Sequence, residues 1–249
     1  MEVRNDVLEL IKQNGGYYEA GRDSDGNFLT PLVVTGKQEV AAGSGLFQFL
    51  LSPAYYNLAR LEQKPCVAMH LSRMVAAQVV ESLGSSDKPG QEAFDCLLTI
   101  PRTTFGSSLA QLLEYPRYTE AEKRIIRPAG DFQPPDYDLI LERHRLECGL
   151  GVAIFDDVGN NFTGVNKLLT LISQHRCNLV AVICVVNRSG QKKLPLPCHG
   201  DIPIVSLLEL QAPQYHQDHS IGRMALSRRN VVVNPKKEWD RLLALMNQS

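Results

Sequence analysis

The sequence predicts an α/β fold in which helices flank a parallel β-sheet. The first observation is that short apolar segments alternate with segments of helical periodicity, at the spacing of βαβ units. The second is size and composition: 249 residues, 44% of them hydrophobic and 21% charged, are enough for one substantial core. The third is a polar loop that follows an apolar segment in GVAIFDDVGNNFTGVNKLLTLI, residues 151–172. In parallel sheets such loops lead into helix N-termini, where ligands bind.

Charge and hydropathy exclude several classes of partner. The formal net charge is −1 and charged residues of both signs are mixed throughout, so we expect no nucleic-acid partner. No segment approaches the roughly 18 consecutive apolar residues of a membrane span, and Leu179 to Val186 suits a buried strand. The N-terminus lacks the pattern of a signal peptide. Six cysteines without paired spacing indicate reduced thiols in a cytoplasmic protein: Cys66, Cys96, Cys148, Cys177, Cys184 and Cys198.

The first third of the chain predicts helices and one hairpin. Asn5 to Gln13 has its apolar residues on one helical face and is followed by two glycines. Asp25-Gly26 lies between Tyr17-Tyr18 and Leu32–Val34, which is the pattern of a β-hairpin. Residues 48–62 and 67–83 have helical spacing and are separated by a proline.

The remainder alternates between strands and helices. We predict strands at Asp95 to Ile100, Gly151 to Phe155, Leu179 to Val186 and Ile202 to Leu208. Helices are predicted at Ser107 to Leu113, Val165 to His175 and in a closing segment with Pro235 near its first turn. A proline-rich variable segment covers roughly 115–140. The prediction is one domain over 1–249, with a core at 95–210 and an elaboration at 1–60.

The loop at 156–164 carries the strongest chemical signal. Backbone N–H groups at a helix start form an anion site, which suits phosphate. Short polar or flexible residues in this loop favour phosphate binding: Gly159, Asn160, Asn161, Thr163 and Gly164. The adjacent Asp156 and Asp157 need a different partner, such as sugar hydroxyls or a magnesium ion held through oxygen ligands. The alternative is that one aspartate only caps the helix.

IFDDVGNNFTG resembles the phosphoribosyl pyrophosphate signature of type I phosphoribosyltransferases. The resemblance implies that Asp156 and Asp157 face the ribose hydroxyls and that the loop from Gly159 to Gly164 holds the 5-phosphate. The family's Thr-Thr-Gly is replaced by Asn160-Asn161-Phe162. Phe162 at the expected glycine must alter either the loop backbone or its side-chain packing.

The segment 97–113, LLTIPRTTFGSSLAQLL, is similar to the pyrophosphate loop of the same family. Phe105-Gly106 matches the aromatic–glycine step of orotate phosphoribosyltransferases. The resemblance implies that Arg102, Thr103 and Gly106 contact the diphosphate. The alternative is an ordinary N-cap turn, because caps also favour Ser and Thr.

Three further segments match orotate phosphoribosyltransferases more loosely. Arg188 lies where an arginine of those enzymes contacts the carboxylate of the base. Lys123 and Arg124 fall in the region of a mobile cationic loop that closes over the diphosphate, so they are candidate catalytic residues. Tyr17 and Tyr18 lie where a hood subdomain covers the base. Solvated charges and ordinary packing are the alternatives.

The resemblance implies a cytoplasmic phosphoribosyltransferase of pyrimidine nucleotide biosynthesis, with orotate as the expected base. Its fold would be a type I phosphoribosyltransferase-like parallel sheet with an N-terminal hood. Mg2+ is the implied cofactor, held by Asp156 and Asp157 only indirectly, through ribose hydroxyls or water. A homodimer is expected. The alternative is a catalytically silent sensor that binds phosphoribosyl pyrophosphate or a nucleotide.

Overall fold

The computed structural model describes residues 2–39, 47–84, 93–100, 103–114, 116–127, 136–142, 145–196 and 200–248. The chain divides into two compact units: Met1–Leu61 with Gln211–Ser249, and Glu62–Leu210. The predicted core at 95–210 lies in the second unit and the predicted elaboration at 1–60 in the first. The C-terminal segment belongs to the first unit.

Seven helices and fifteen strands are present in the described residues. The helices are α1 (Glu2–Gln13), α2 (Ala59–Glu62), α3 (Pro65–Leu83), α4 (Thr104–Leu113), α5 (Thr163–Gln174), α6 (Ser220–Ser227) and α7 (Trp239–Met246). The strands are β1 (Tyr17–Glu19), β2 (Leu32–Glu39), β3 (Phe47–Ser52), β4 (Ala54–Tyr56), β5 (Cys96–Thr99), β6 (Arg117–Glu120), β7 (Glu122–Arg127), β8 (Asp136–Ile140), β9 (Gly151–Phe155), β10 (Val158–Gly159), β11 (Asn178–Asn187), β12 (Lys193–Leu196), β13 (Gly200–Glu209), β14 (Tyr215–His216) and β15 (Val231–Val232).

The second unit is built on a sheet with strand order β12-β13-β11-β9-β5-β6, to which β10 is added beside β11. All its pairs are parallel except β12 with β13. Helix α5 packs against β9 and β11, α3 packs against β11 and β13, and α4 packs against β5 and β6. The predicted α/β class, with a parallel sheet flanked by helices, is therefore confirmed.

The central strands are apolar on both faces because helices cover a parallel sheet. Successive side chains of a strand point to opposite faces, so Leu98, Ile154 and Val182 belong to one layer with the apolar side of α5. These three side chains are fully buried. Burial of one such side chain stabilises the folded state by about 1.5–3 kcal/mol. Because these strands require apolar residues on both faces, the sequence pattern predicts them.

The first unit contains a sheet with strand order β14-β3-β2-β15 and the separate pair β1-β4. The predicted hairpin is wrong, because Tyr17 pairs with Tyr56 and β2 pairs with β3. Around the predicted turn only an isolated bridge joins Arg22 to Phe28. Strand β1 therefore pairs with β4 and not with residues 32–34, the partner that the Asp25-Gly26 turn had predicted.

The helix predicted at 48–62 is also wrong over most of its length. Residues 47–52 and 54–56 form β3 and β4, and only Ala59–Glu62 is helical. Aromatic and branched residues favour a half-buried pleated surface, and pairing with β2 and β1 overrides the helical spacing. Pro53 lies between the two strands, where it is compatible with a break in the ladder.

Other elements were predicted with small errors at their ends or were missed. The predicted strands at 95–100, 151–155, 179–186 and 202–208 and the helices at 5–13, 67–83, 107–113 and 165–175 are confirmed. Strands β6, β7 and β8 occur in the segment predicted to be variable, and α6 was not predicted. The closing helix begins at Trp239, after Pro235. None of the described helices is both long and apolar enough to cross a membrane.

Candidate active site

The ends of β5 and β9 form the centre of the candidate site. Thr99 is paired with Phe155, so the two neighbouring strands end at the same level. From β5 the chain continues to β6 on one side, and from β9 it continues to β11 on the other. The direction in which successive strands are added to the sheet therefore reverses between β5 and β9. Such a reversal opens a crevice at the carboxyl ends of the strands, which is where ligands bind in open α/β sheets. Arg102 lies outside the described residues.

Asp156 and Asp157 leave β9 on a backbone that is held by β11. The N–H of Asp156 donates to the carbonyl of Ile183 at 3.0 Å, and the carbonyl of Asp157 accepts from the N–H of Val185 at 3.1 Å. The N–H of Arg188 donates to the carbonyl of Gly159 at 2.7 Å, which holds the backbone that follows the two aspartates. Both carboxylates are half-buried. They are therefore displayed from a rigid edge of the sheet.

Phe162 has a left-handed backbone conformation and places its ring in the core. Its φ is 53°, in the left-handed region, and its side chain is only 4% exposed. A Cβ on Gly159 would lie 2.9 Å from Cε1 of Phe162, so the ring packs directly against the loop backbone. The ring of Phe162 thus fills space beneath the loop, while its backbone takes a conformation that glycine adopts more readily than other residues.

The first turn of α5 lies beside the acidic pair. Helix α5 begins at Thr163, whose N–H donates to Oδ1 of Asn161 at 3.3 Å. A Cβ on Gly164 would lie 2.6 Å from Cδ1 of Ile100 and 3.9 Å from Oδ2 of Asp156. First-turn amides have no intrahelical acceptor and lie at the positive end of the helix dipole. The positive end of a helix and two carboxylates therefore lie at one edge of the sheet.

The N-terminus of α4 is contacted by Glu62, which the sequence did not indicate. Oε1 of Glu62 accepts from Oγ1 of Thr103 at 2.7 Å, from the N–H of Thr104 at 2.7 Å and from the N–H of Phe105 at 3.4 Å. Thr103, expected to contact the diphosphate, is thus bonded to a carboxylate of the same chain. No motif around Glu62 connects it with a helix 41 residues away.

Gly106 lies inside α4 and brings this helix close to β5. A Cβ at this position would lie 2.3 Å from Cγ2 of Thr99 and 3.4 Å from the ring of Tyr118. Thr99 is fully buried, so its side chain has little room to move. This close approach gives Gly106 a packing role, and its expected contact with the diphosphate stays a prediction.

We expect Gly106→Ala to destabilise the protein by about 1–2 kcal/mol. Alanine gains about 1 kcal/mol of helix propensity over glycine. Overpacking in a rigid core costs about 1–3 kcal/mol, and a 2.3 Å contact with buried Thr99 belongs at the upper end of that range. Urea unfolding measures the difference, with Ser108→Ala in the same helix as control. A Gly106→Ala variant more stable than the wild type would contradict this packing.

The candidate cations Lys123 and Arg124 lie on the β7–β8 hairpin. Nζ of Lys123 is 4.8 Å from the centre of the Tyr137 ring, and Nη2 of Arg124 is 3.7 Å from Oδ2 of Asp138. Nζ of Lys167, on α5, lies 3.7 Å from the centre of the same tyrosine ring and donates to the Tyr137 carbonyl. Two ammonium groups therefore contact one aromatic ring, an arrangement worth about 0.5–2 kcal/mol per contact.

The charge of Asp156 acts on two neighbours. Burial raises the pKa of the Tyr137 phenol, and the nearby Asp156 carboxylate raises it further. Burial likewise raises the pKa of the Cys184 thiol, again with a contribution from Asp156. Both groups are therefore protonated at neutral pH, and the Tyr137 hydroxyl can act as a hydrogen-bond donor near the acidic pair.

Arg188 lies at the end of β11 and is only 5% exposed. The turn that follows is shaped by Asn187, whose Oδ1 accepts from the N–H of Ser189 at 3.0 Å and from its Oγ at 2.7 Å. A buried guanidinium is rare in proteins unless it is paired. Contact with the carboxylate of a base stays a prediction for this residue.

The two tyrosines that were expected to cover a base, Tyr17 and Tyr18, are packed inside the first unit. Tyr18 is fully buried, and its hydroxyl bonds to Thr30 at 3.1 Å and to the Pro31 carbonyl at 2.7 Å. Burial raises the pKa of this phenol. The ring of Tyr17 packs on Tyr56 at 5.0 Å between centres. Tyr18 therefore has no exposed face on which a base could stack, which corrects the expectation for this residue.

The acidic pair fits a magnesium ion only if the ion brings other ligands. Mg2+ requires octahedral oxygen coordination and retains several waters or substrate phosphates. Asp156 and Asp157 supply two adjacent carboxylates. In the part of the chain that the structure describes, no group of three or more His, Cys, Asp or Glu residues is placed to hold a metal ion. Indirect binding of Mg2+ by this pair, through water or ribose hydroxyls, stays a prediction.

No protein-family model matches the sequence, and no curated protein matches it either. Several solved structures are similar. A UMP synthase from Leishmania donovani has 14% identity and a TM-score of 0.49 over 98% of this chain, which spans 42% of the length of that protein. An orotate phosphoribosyltransferase from Aeropyrum pernix has 14% identity and a TM-score of 0.49, over 90% of this chain and 98% of its own. An adenine phosphoribosyltransferase from Saccharomyces cerevisiae has 15% identity and a TM-score of 0.46, over 72% of this chain and 94% of its own.

Proposed function

We propose that the chain transfers a 5-phosphoribosyl group from phosphoribosyl pyrophosphate to a nucleobase and releases pyrophosphate. The observation that carries the proposal is the position of Asp156 and Asp157. They leave β9 at the reversal of strand order, beside the N-terminus of α5. Carboxylates for the ribose hydroxyls and amides for the 5-phosphate are thereby offered to one ligand.

In the proposed reaction a ring nitrogen of the base forms a bond to C1 of the ribose. The bond from C1 to the pyrophosphate oxygen breaks, and its electron pair leaves with the pyrophosphate. Positive charge develops on the sugar. Asp156 and Asp157 are proposed to orient the ribose hydroxyls and to stabilise that positive charge. Lys123, Arg124 and Arg102 are proposed to stabilise the leaving group. Mg2+ carried by the diphosphate would supply further charge neutralisation.

Orotate is the proposed base. A guanidinium such as that of Arg188 recognises a planar carboxylate through two parallel hydrogen bonds, and orotate carries such a carboxylate. The test is incubation with Mg2+, phosphoribosyl pyrophosphate and either orotate or another base, with chromatography of the nucleotide formed. Adenine belongs in the panel because one of the similar structures is an adenine phosphoribosyltransferase. We expect orotidine 5-phosphate; nucleotide from adenine alone would contradict the choice of orotate.

A second candidate is a sensor that binds the same ligands without turnover. Asn160-Asn161-Phe162 in place of Thr-Thr-Gly favours it, because the ring of Phe162 occupies the space beneath the loop. Binding of phosphoribosyl pyrophosphate without product from any base would support the sensor. Absence of binding would contradict both candidates.

We also propose a cytoplasmic homodimer. Five described cysteines are free thiols, which suits a reducing compartment: Cys66, Cys96, Cys148, Cys177 and Cys184.

On β7 the adjacent Ile125 and Ile126 are 63% and 58% exposed, and exposed apolar neighbours of this kind favour a protein contact. Light scattering is expected to give twice the chain mass of 27.7 kDa. A mass of one chain would contradict the dimer.

A further inference from the structure

The contact between Glu62 and α4 bears on which phosphorylated sugar the candidate site prefers. We propose that Glu62 is a specificity-determining residue, whose carboxylate competes with the diphosphate of phosphoribosyl pyrophosphate for the N-terminus of α4. Glu62 thereby weakens the binding of phosphoribosyl pyrophosphate and leaves that of ribose 5-phosphate unchanged. The inference rests on the proposed function, because it places the diphosphate end of the ligand at the N-terminus of α4.

One oxygen of Glu62 takes three donors at the start of α4. Oε1 lies 2.7 Å from Oγ1 of Thr103, 2.7 Å from N of Thr104 and 3.4 Å from N of Phe105. The hydroxyl and the two amides therefore point at a single position. A negative charge there is stabilised by the positive end of a ten-residue helix. This is the donor arrangement that a phosphoryl oxygen would require.

The origin of the carboxylate distinguishes the contact from an ordinary cap. The N-cap residue of a helix normally supplies the capping oxygen itself. Thr103 is the N-cap of α4 but makes no side-chain cap bond. Its hydroxyl instead donates to Glu62, which precedes it by 41 residues. An anionic group is thus delivered to this helix end from another part of the unit.

The N-terminus of α4 lies at the edge of the sheet where the ligand is proposed to bind, so the presence of the Glu62 carboxylate there affects ligand binding. Helix α4 follows β5, and β5 ends level with β9, from which Asp156 and Asp157 emerge. A diphosphate attached to a ribose held by these aspartates would need donors on the β5 side of the crevice. The Glu62 carboxylate and a diphosphate cannot share the same N–H groups, and their like charges repel. Phosphoribosyl pyrophosphate must therefore displace Glu62, whereas ribose 5-phosphate need not.

The test compares three ligands on the full chain: ribose 5-phosphate, phosphoribosyl pyrophosphate and inorganic pyrophosphate, each with Mg2+. Calorimetry gives their affinities for wild type, Glu62→Gln and Glu62→Ala. Glu81→Gln is the matched control, since it removes the same charge near the C-terminal end of α3, the next helix along the chain. We expect Glu62→Ala to bind pyrophosphate and phosphoribosyl pyrophosphate at least about tenfold more tightly, or about 1.4 kcal/mol. The affinities of Glu62→Gln for these two ligands are expected to lie between those of the wild type and Glu62→Ala. The affinity for ribose 5-phosphate should change less than about twofold in either variant.

A purely structural cap predicts a different result. Glu62→Ala would then lower the melting temperature, and the ratio of the two sugar-phosphate affinities would stay that of the wild type. That outcome overturns the inference, as does unchanged pyrophosphate affinity in the folded Glu62→Gln protein. Failure of every variant to bind ribose 5-phosphate would contradict the proposed function instead. In that case the pyrophosphate affinities still decide whether Glu62 competes with an anion at α4.

Discussion

Replacing Asp157 with asparagine is expected to weaken binding of ribose 5-phosphate and phosphoribosyl pyrophosphate at least about tenfold, or about 1.4 kcal/mol. The carboxylate is proposed to accept hydrogen bonds from the ribose hydroxyls, and a charged acceptor forms stronger bonds than the amide oxygen that replaces it. Asparagine has the same shape, and its Oδ1 can still accept from the N–H of Val158, as Asp157 does at 3.0 Å. The main-chain bonds of Asp157 to Val185 and Val186 are untouched. The loss should therefore fall on binding and spare the fold.

Calorimetry with ribose 5-phosphate measures the effect, and thermal melting checks that the variant is folded. Asp201→Asn is the matched control, because Asp201 is an exposed aspartate on β13 whose Oδ2 lies 3.8 Å from Nζ of Lys193. An exposed pair of that kind contributes at most about 1 kcal/mol to stability and has no part in the proposed site. Equal affinities for the wild type and Asp157→Asn would refute the role given to this carboxylate.

Truncation of Phe162 is expected to cause the largest loss of stability. The ring is 4% exposed and belongs to the core beneath α5, so Phe162→Ala should cost about 3–5 kcal/mol. Phe162→Gly removes the same ring but also relieves the left-handed backbone at φ 53°. A non-glycine residue in that conformation costs about 1–2 kcal/mol. The glycine variant should therefore be more stable than the alanine variant by about 1 kcal/mol.

Urea unfolding of the wild type and the two variants separates these terms. The difference between wild type and alanine reports the packing of the ring, and the difference between alanine and glycine reports the backbone. A loss below about 1 kcal/mol for Phe162→Ala would contradict the buried position of the ring. An alanine variant more stable than the glycine variant would contradict the left-handed conformation.

The second unit was predictable where its elements are buried on both faces. Strands β9 and β11 appear in the sequence as short, almost uninterrupted apolar segments, which is the pattern of strands in a parallel sheet. The first unit was less predictable. The apolar segment at 47–56 is too short for periodicity to separate strand from helix, and its ladders to β1 and β2 decide the outcome. The pairing of Tyr17 with Tyr56 spans too much chain for any local signal.

The candidate site divides in the same way. Asp156, Asp157 and the start of α5 follow one another in the chain, so one motif indicated their common position. Glu62 reaches α4 across 41 residues, and Lys167 reaches Tyr137 across 30, so neither contact leaves a local pattern. At Phe162 the sequence showed that either backbone or packing must change. The structure shows that φ of Phe162 is positive and that its ring is buried against Gly159 and the surrounding core, and no local pattern predicts either feature.

The most direct test of the account is a crystal structure of the chain with ribose 5-phosphate. We expect the phosphate to lie within hydrogen-bonding distance of the backbone N–H groups at the start of α5. The ribose hydroxyls should contact the carboxylates of Asp156 and Asp157. A sugar phosphate bound elsewhere, or one whose hydroxyls contact neither aspartate, would contradict the central claim that this strand edge binds a phosphoribosyl group.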